Sequence, residues 1–168
     1  LVGVAILIAA LIGVPLGILI SKVRWLALPV LNITGVLYTI PSLAFFAIMI
    51  PYLGIGTTTA TIALAVYSLL VIVRNTAAGL DEVPAATIDA ARGMGMTGIQ
   101  RLLQVEMPLA LPYILTGVRI ATVAAIGIAV IAAVIAAGGL GRLIFDGIRR
   151  VDTDLIVTGS VMAILMAL

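Results

Sequence analysis

Two reactive residue types are missing from this chain. It has no His and no Cys, so it lacks the commonest general base, the commonest metal ligand and any thiolate. No stretch carries the Gly-rich phosphate loop that ends in Lys-Ser or Lys-Thr, which excludes ATP hydrolysis by that route. No carboxylate pair lies inside an apolar run, so acid–base or nucleophilic catalysis has no evident catalyst there. No catalytic residue, cofactor or metal site is expected. The residues that can act are gathered in one polar interruption, Asp81 to Pro112, reading DEVPAATIDAARGMGMTGIQRLLQVEMPLALP. The chemistry open to such a segment is docking, because it faces water between apolar runs and offers itself to a partner.

The flanking runs say what must position it. The chain has 168 residues, 64% of them hydrophobic and 10% charged, and a mean hydropathy of +1.37. A soluble domain carries about 25% charged residues, so this chain cannot cover a water-facing surface. The class is an all-α, polytopic helical membrane protein. A β-barrel is excluded because these runs do not alternate apolar with polar. The net charge of +2 leaves no footprint for nucleic acid. The chain begins without Met inside one apolar run and stops at Leu168 inside another. It is therefore expected to be the core fragment of a longer protein, with residues 1–168 one membrane domain and the docking loop at 81–112. The first run lacks a charged leader and a cleavage site, so it is expected to be a span.

Taken in order, Leu1 to Ile20 is long enough to cross a bilayer. Lys22, Arg24 and Trp25 follow as a loop with an interfacial anchor. A second span is expected from about Pro29 to Leu53, kinked or broken at Pro41. A break there can expose polar backbone to a cavity, which makes Pro41 a candidate for the translocation path. A third span is expected from about Thr59 to Val73, ended by Arg74-Asn75-Thr76. In the polar segment, Pro84 suits the first turn of a helix, and Ala85 to Arg92 favours helix. Glycines interrupt at Gly93, Gly95 and Gly98. Thr97 to Gln100 fits a capping box that opens a second short helix to about Glu106, and Pro108 is expected to forbid clean continuation. A fourth span runs from about Leu109 to Ala137. Arg119 is expected near its inner end, where it either snorkels or lines the path. Leu140 to Asp154 carries three Arg and three Asp on helical apolar spacing, the pattern of an amphipathic outer helix that could meet an external protein. Leu155 to Leu168 starts a fifth span. With the polar segment inside, the inner loops hold Lys22, Arg24, Arg74, Arg92 and Arg101, and the outer side holds Arg142, Arg149 and Arg150, a modest inside bias.

The segment from Asp89 resembles the EAA loop of ATP-binding-cassette importer permeases. That motif is Glu-Ala-Ala, three residues, Gly, nine residues, then Ile-x-Leu-Pro. Here Asp89-Ala90-Ala91, Gly95 and Val105-Glu106-Met107-Pro108 occupy its positions at the same spacing, with mild substitutions. Tyr38-Thr39-Ile40-Pro41-Ser42, Gly54-Ile55-Gly56, Val73 to Leu80, Ala90 to Thr97 and Ala137 to Gly141 are similar to the permeases for glycine betaine, carnitine, choline and related osmoprotectants. The resemblance covers nearly the whole chain. It implies a type I importer fold of the methionine-permease kind and a location in the cell membrane with the loop in the cytoplasm. It also implies a second permease subunit, two ATP-binding-cassette ATPases and an external substrate-binding protein or domain. Asp89, Ala90, Ala91, Gly95, Val105, Met107 and Pro108 are then the ATPase-coupling residues, with force passing through a rigid turn at Met107-Pro108.

A methionine-type or other small-solute permease is the alternative within that class. Outside it stand a channel or secondary transporter, which would place paired ionisable residues at mid-membrane, and an intramembrane enzyme. Trp25, the four Tyr and the three Phe form no aromatic cluster in the sequence that would mark a cage for a quaternary amine.

Overall fold

The computed structural model describes residues 1–168 and is helical, with no strand. Helix α1 (Val2–Lys22) is the first span. A 3-10 turn at Arg24–Leu26 leads into α2 (Ala27–Thr39). The expected second span is two helices. α2 stops at Thr39, α3 (Ser42–Leu53) starts after Pro41, and the two bend by 97°. Pro41 has no N–H to donate, and its ring drives the preceding residue out of helical geometry. Ile40 accordingly sits at φ −65°, ψ 126°.

Helix α4 (Thr57–Asp81) is the centre of the chain and runs past the expected stop. Arg74-Asn75-Thr76 lies inside it. Nothing there opposes a helix, and Asn75 Nδ2 donates back to the Val71 carbonyl at 2.8 Å. The helix ends only as Pro84 approaches. Helix α5 (Ala85–Gly93) and the short α6 (Gly98–Arg101) follow. A π-helical turn, Leu102–Glu106, then joins α6 to α7 (Met107–Ile131), which a 3-10 turn extends through Ile135.

The expected turn at Met107-Pro108 is therefore absent. Gly98 to Ile135 forms one continuous 38-residue helical stretch. The π turn explains how. An α-helix would put the Pro108 ring against the carbonyl four residues back, whereas the wider turn pairs Met107 N–H with the Leu102 carbonyl.

Helices α1 and α7 lie along α4, and α2 and α3 also rest on it. One core joins Ala5, Ile6 and Ala9 to Leu64, Ile72, Ala121 and Ala125. A second joins Phe45 and Phe46 to Ala60, Ala63, Tyr67, Ala132 and Ile135. In a membrane such association depends on close packing of small residues. A Cβ placed at Gly117 would fall 2.5 Å from Asn75 Cβ, so α7 and α4 could not come so near with any other residue there.

Helix α8 (Leu140–Arg150) is amphipathic as expected but shorter, because Val151 turns left-handed at φ 55°. Asp152 then caps α9 (Thr153–Ala167) through Asp154 N at 3.1 Å. At the opposite end of the bundle, Ser21 Oγ donates to Asp81 at 3.4 Å and Lys22 pairs with Glu106. The ends of α1 and α4 and the start of α7 thus meet at one level, the same side that the charge pattern of the sequence groups together.

Candidate functional site

The polar element hangs from that meeting point. Glutamine and threonine close its second half as a reciprocal cap. Thr97 N donates to Gln100 Oε1 at 2.9 Å, and Gln100 N donates to Thr97 Oγ1 at 3.3 Å. Gly95 stands at φ +79° in the turn between α5 and α6, a backbone state that side chains with a Cβ resist. Space is not the constraint, since nothing lies within 4 Å of where its Cβ would be.

The residues expected to couple do not share one surface. Asp89 is exposed and paired with Arg92 at 3.3 Å, and Ala90 and Pro108 are also exposed. Ala91 is buried, while Val105 and Met107 are half-buried. Met107 packs against the small core of Leu80, Ala110 and Ile114. The outward-facing set includes apolar residues that the motif does not name. Met94 is 71% exposed, Ile99 73% and Leu103 62%. Exposed large apolar side chains of this kind are common on surfaces that partners cover.

Glu106 is the residue that sequence reading missed. Its side chain is 1% exposed. Arg101 Nε donates to Oε1 at 2.8 Å, and Lys22 Nζ donates to Oε2. A buried carboxylate without partners would be costly, and here two cations from two elements meet it. It heads a buried row on one face of the long helix, Glu106, Ala110, Ile114, Gly117, Ala121 and Ala125. The sequence held a signal: one acid at the head of an otherwise apolar, small-residue stripe at spacings of three and four. The carboxylate ties the polar element to α1, and the expected rigid turn at Met107-Pro108 is replaced by helix.

The path candidates lie on two separate elements, α7 and the α2–α3 break. Arg119 lies within α7. It lies 13 residues beyond Glu106, about 20 Å along the helix at 1.5 Å per residue. It is exposed on the chain surface and pairs with no carboxylate. Pro41 is exposed at the α2–α3 break. The Ile40 carbonyl there accepts a hydrogen bond from Tyr67 Oη. Tyr67 is 14 residues from Asp81, again about 20 Å from the polar end. The fold also assembles an aromatic group that is scattered in sequence. Tyr38 and Phe45 meet Tyr67 edge-on, with ring centroids 6.0 and 5.5 Å away. Tyr67 and Phe45 are buried, and Tyr38 is 41% exposed.

Comparison with known proteins agrees with this architecture. Residues 11–168 match the family described as binding-protein-dependent transport system inner membrane component. The chain is 49% identical over its full length to the osmoprotectant import permease protein OsmW of Salmonella typhimurium (strain LT2), covering 80% of that protein. It is 42% identical to the carnitine transport permease protein OpuCB of Listeria monocytogenes over 98% of this chain and 75% of the other. Among solved structures, the inward-facing MetNI methionine ABC transporter superposes with a TM-score of 0.84 at 26% identity, covering 98% of this chain and 85% of that one. The fold is that of a type I importer transmembrane core.

Proposed function

The chain belongs to the family of binding-protein-dependent transport system inner membrane components, and from that premise we propose that it is the membrane permease of an ATP-driven importer for an osmoprotectant such as glycine betaine, carnitine or choline. The relatives named for these solutes support the substrate class, at 49% and 42% identity against 26% for the methionine transporter. The chain supplies the path. Cassette ATPases supply the energy, a second permease subunit completes the pore, and an external binding protein delivers the solute.

The observation that carries the coupling reading is the exposed apolar set Met94, Ile99 and Leu103 around the Gly95 turn. On this reading residues Asp89 to Pro108 lie in the cytoplasm and seat on an ATPase. Movement of the ATPase passes along the unbroken helix into α7, and through Glu106 and Lys22 into α1.

The test is uptake of labelled solute at high salt, in cells whose other uptake systems are removed. Cells with the wild-type chain should accumulate glycine betaine, and cells without it should not. Gly95→Leu should insert at wild-type abundance, because Gly95 lies outside every span, yet lose about tenfold in uptake and release the ATPase on purification. The strain at its positive φ, about 1–2 kcal/mol, and the added bulk on the docking face both act there. Normal accumulation without the chain would sink the substrate class. Normal uptake with the ATPase retained in Gly95→Leu would sink the coupling role.

A further inference from the structure

We propose that the corner between α8 and α9 is a docking knob for the importer's external binding protein. Val151 and Ile148 enter an apolar notch on that protein, and Arg149 and Arg150 meet carboxylates on its rim. This rests on the reading above that the polar element is cytoplasmic, and it adds a surface for the partner on the other side.

Val151 is the anomaly. It stands at φ 55°, ψ 38°, in the left-handed state that ends α8. Glycine or asparagine is the usual residue there, and a β-branched side chain in that state is an outlier. Val151 is 89% exposed, so packing within the chain does not offset the strain. Such strain persists where the surroundings hold it, and it clusters where a contact uses it. Here the surroundings are tight. Asp152 N–H donates to the Gly147 carbonyl at 2.8 Å, and Val151 N–H donates to the Ile148 carbonyl at 3.3 Å. A Cβ at Gly147 would fall 2.8 Å from Ile156 Cγ1, and one at Gly159 would fall 2.7 Å from Ile144 Cγ1. The two helices are therefore locked side by side. The corner is rigid and displays a bare apolar side chain at its tip, and the contact that uses it lies outside this chain.

The neighbours of Val151 define that contact. Ile148, three residues earlier on the helix, is 55% exposed. Arg142, Arg149 and Arg150 are exposed as well. Asp146 is shared between Arg142 at 3.7 Å and Arg149 at 3.8 Å, and Arg150 pairs with no carboxylate. The Asp152 side chain is turned to the backbone of α9, which leaves Asp154 as the one exposed acid of the corner. The exposed charge is thus mainly cationic, and the rim it fits is acidic. Arginines set around an apolar centre have the composition of a protein–protein hot spot. A lipid surface fits less well, because α8 already packs Leu143 and Ile144 against Gly159 of α9. The corner also lies at the right end. The 38-residue stretch from Gly98 to Ile135 separates the polar element from α8, and the family is described as binding-protein-dependent.

The test reads docking and stability together. It uses the complex of this chain with its ATPases in lipid nanodiscs, and the importer's purified binding protein loaded with glycine betaine. Val151→Asn should move the two readouts in opposite directions. The chain should melt about 2 °C higher, because asparagine accepts the left-handed state. The binding protein should bind about fivefold more weakly, for want of the apolar knob. A merely structural residue cannot give that pair of results. Val151→Gly should weaken binding likewise. Arg149→Glu combined with Arg150→Glu should weaken binding about tenfold or more at low salt, and less at high salt. Unchanged affinity in the Val151 variants and in the arginine variant would overturn the proposal. So would an arginine variant that alters melting only in nanodiscs of anionic lipid while affinity stays as in the wild type, since the corner would then be a lipid contact. The chain has no Cys, so Arg150→Cys tests the underlying reading separately. A membrane-impermeant maleimide should label it from outside on intact cells stripped of their wall. Labelling only in inside-out vesicles would refute the orientation itself.

Discussion

Two prolines in this chain do opposite things. At Pro41 the helix parts and turns by 97°. At Pro108 a helix of similar composition runs on without a break. Both prolines lack an N–H and both crowd the carbonyl four residues back. The surroundings decide the outcome. Before Pro41, Ile40 takes extended geometry, and Tyr67 satisfies its carbonyl from a neighbouring helix. Before Pro108, Met107 stays helical at φ −62°, ψ −45°, the turn widens, and Glu106 is tied to Lys22 and Arg101. One proline parts the helix at a sharp bend. The other is absorbed, so that the second half of the polar element and a span become one helical stretch.

The contrast can be broken at its strongest tie first. Glu106→Ala leaves Arg101 and Lys22 without their shared anion and should cost about 3 kcal/mol. That is the low end of the range for breaking a buried pair, because Lys22 can swing to water. Melting of the purified complex should fall clearly, and an unchanged melting temperature would mean that packing alone holds the helix together at Pro108. On the other side, Tyr67→Phe removes the hydroxyl that satisfies Ile40 and should cost about 1–2 kcal/mol. Amide exchange should quicken at the start of α3 and stay as in the wild type along α7. Faster exchange in both helices would show that the two regions are not independent. The smallest effect is expected at Thr97→Ala, which unmakes the cap at the start of the long helix for about 1 kcal/mol. Exchange at Gly98 to Arg101 should rise while transport stays near wild type. A loss of transport would mean that the cap itself takes part in docking.

Much of this was legible from residue types. Leu1 to Ile20 reads as a span because nothing in it is charged, and Thr97 with Gln100 reads as a cap because both side chains are needed three residues apart. Gly95 reads as a turn for want of a Cβ. What was not legible depends on partners far away in sequence. Pro108 forbids a helix by local rules, and only the wider turn lets it pass. Arg74 looked like an end signal because charge at a span's edge usually is, yet α4 holds it mid-helix with its side chain exposed. The aromatic group joins Tyr67 to Tyr38, 29 residues away in the sequence, and to Phe45, 22 residues away. The place of Arg119 along its helix could not be set before the helix was known to begin at Gly98 and not at Leu109.

The unbroken stretch from Gly98 to Ile135 also sets the mechanics of the molecule. Its 38 residues make a rod about 57 Å long at 1.5 Å per residue. A rod pivoting near its centre moves its two ends in opposite senses. A tilt of about 10° about that point would carry each end roughly 5 Å, inward on one side of the membrane and outward on the other. Such a tilt would narrow one mouth of a pore as it widened the other, and the midpoint of the stretch, where the displacement is least, lies near Arg119.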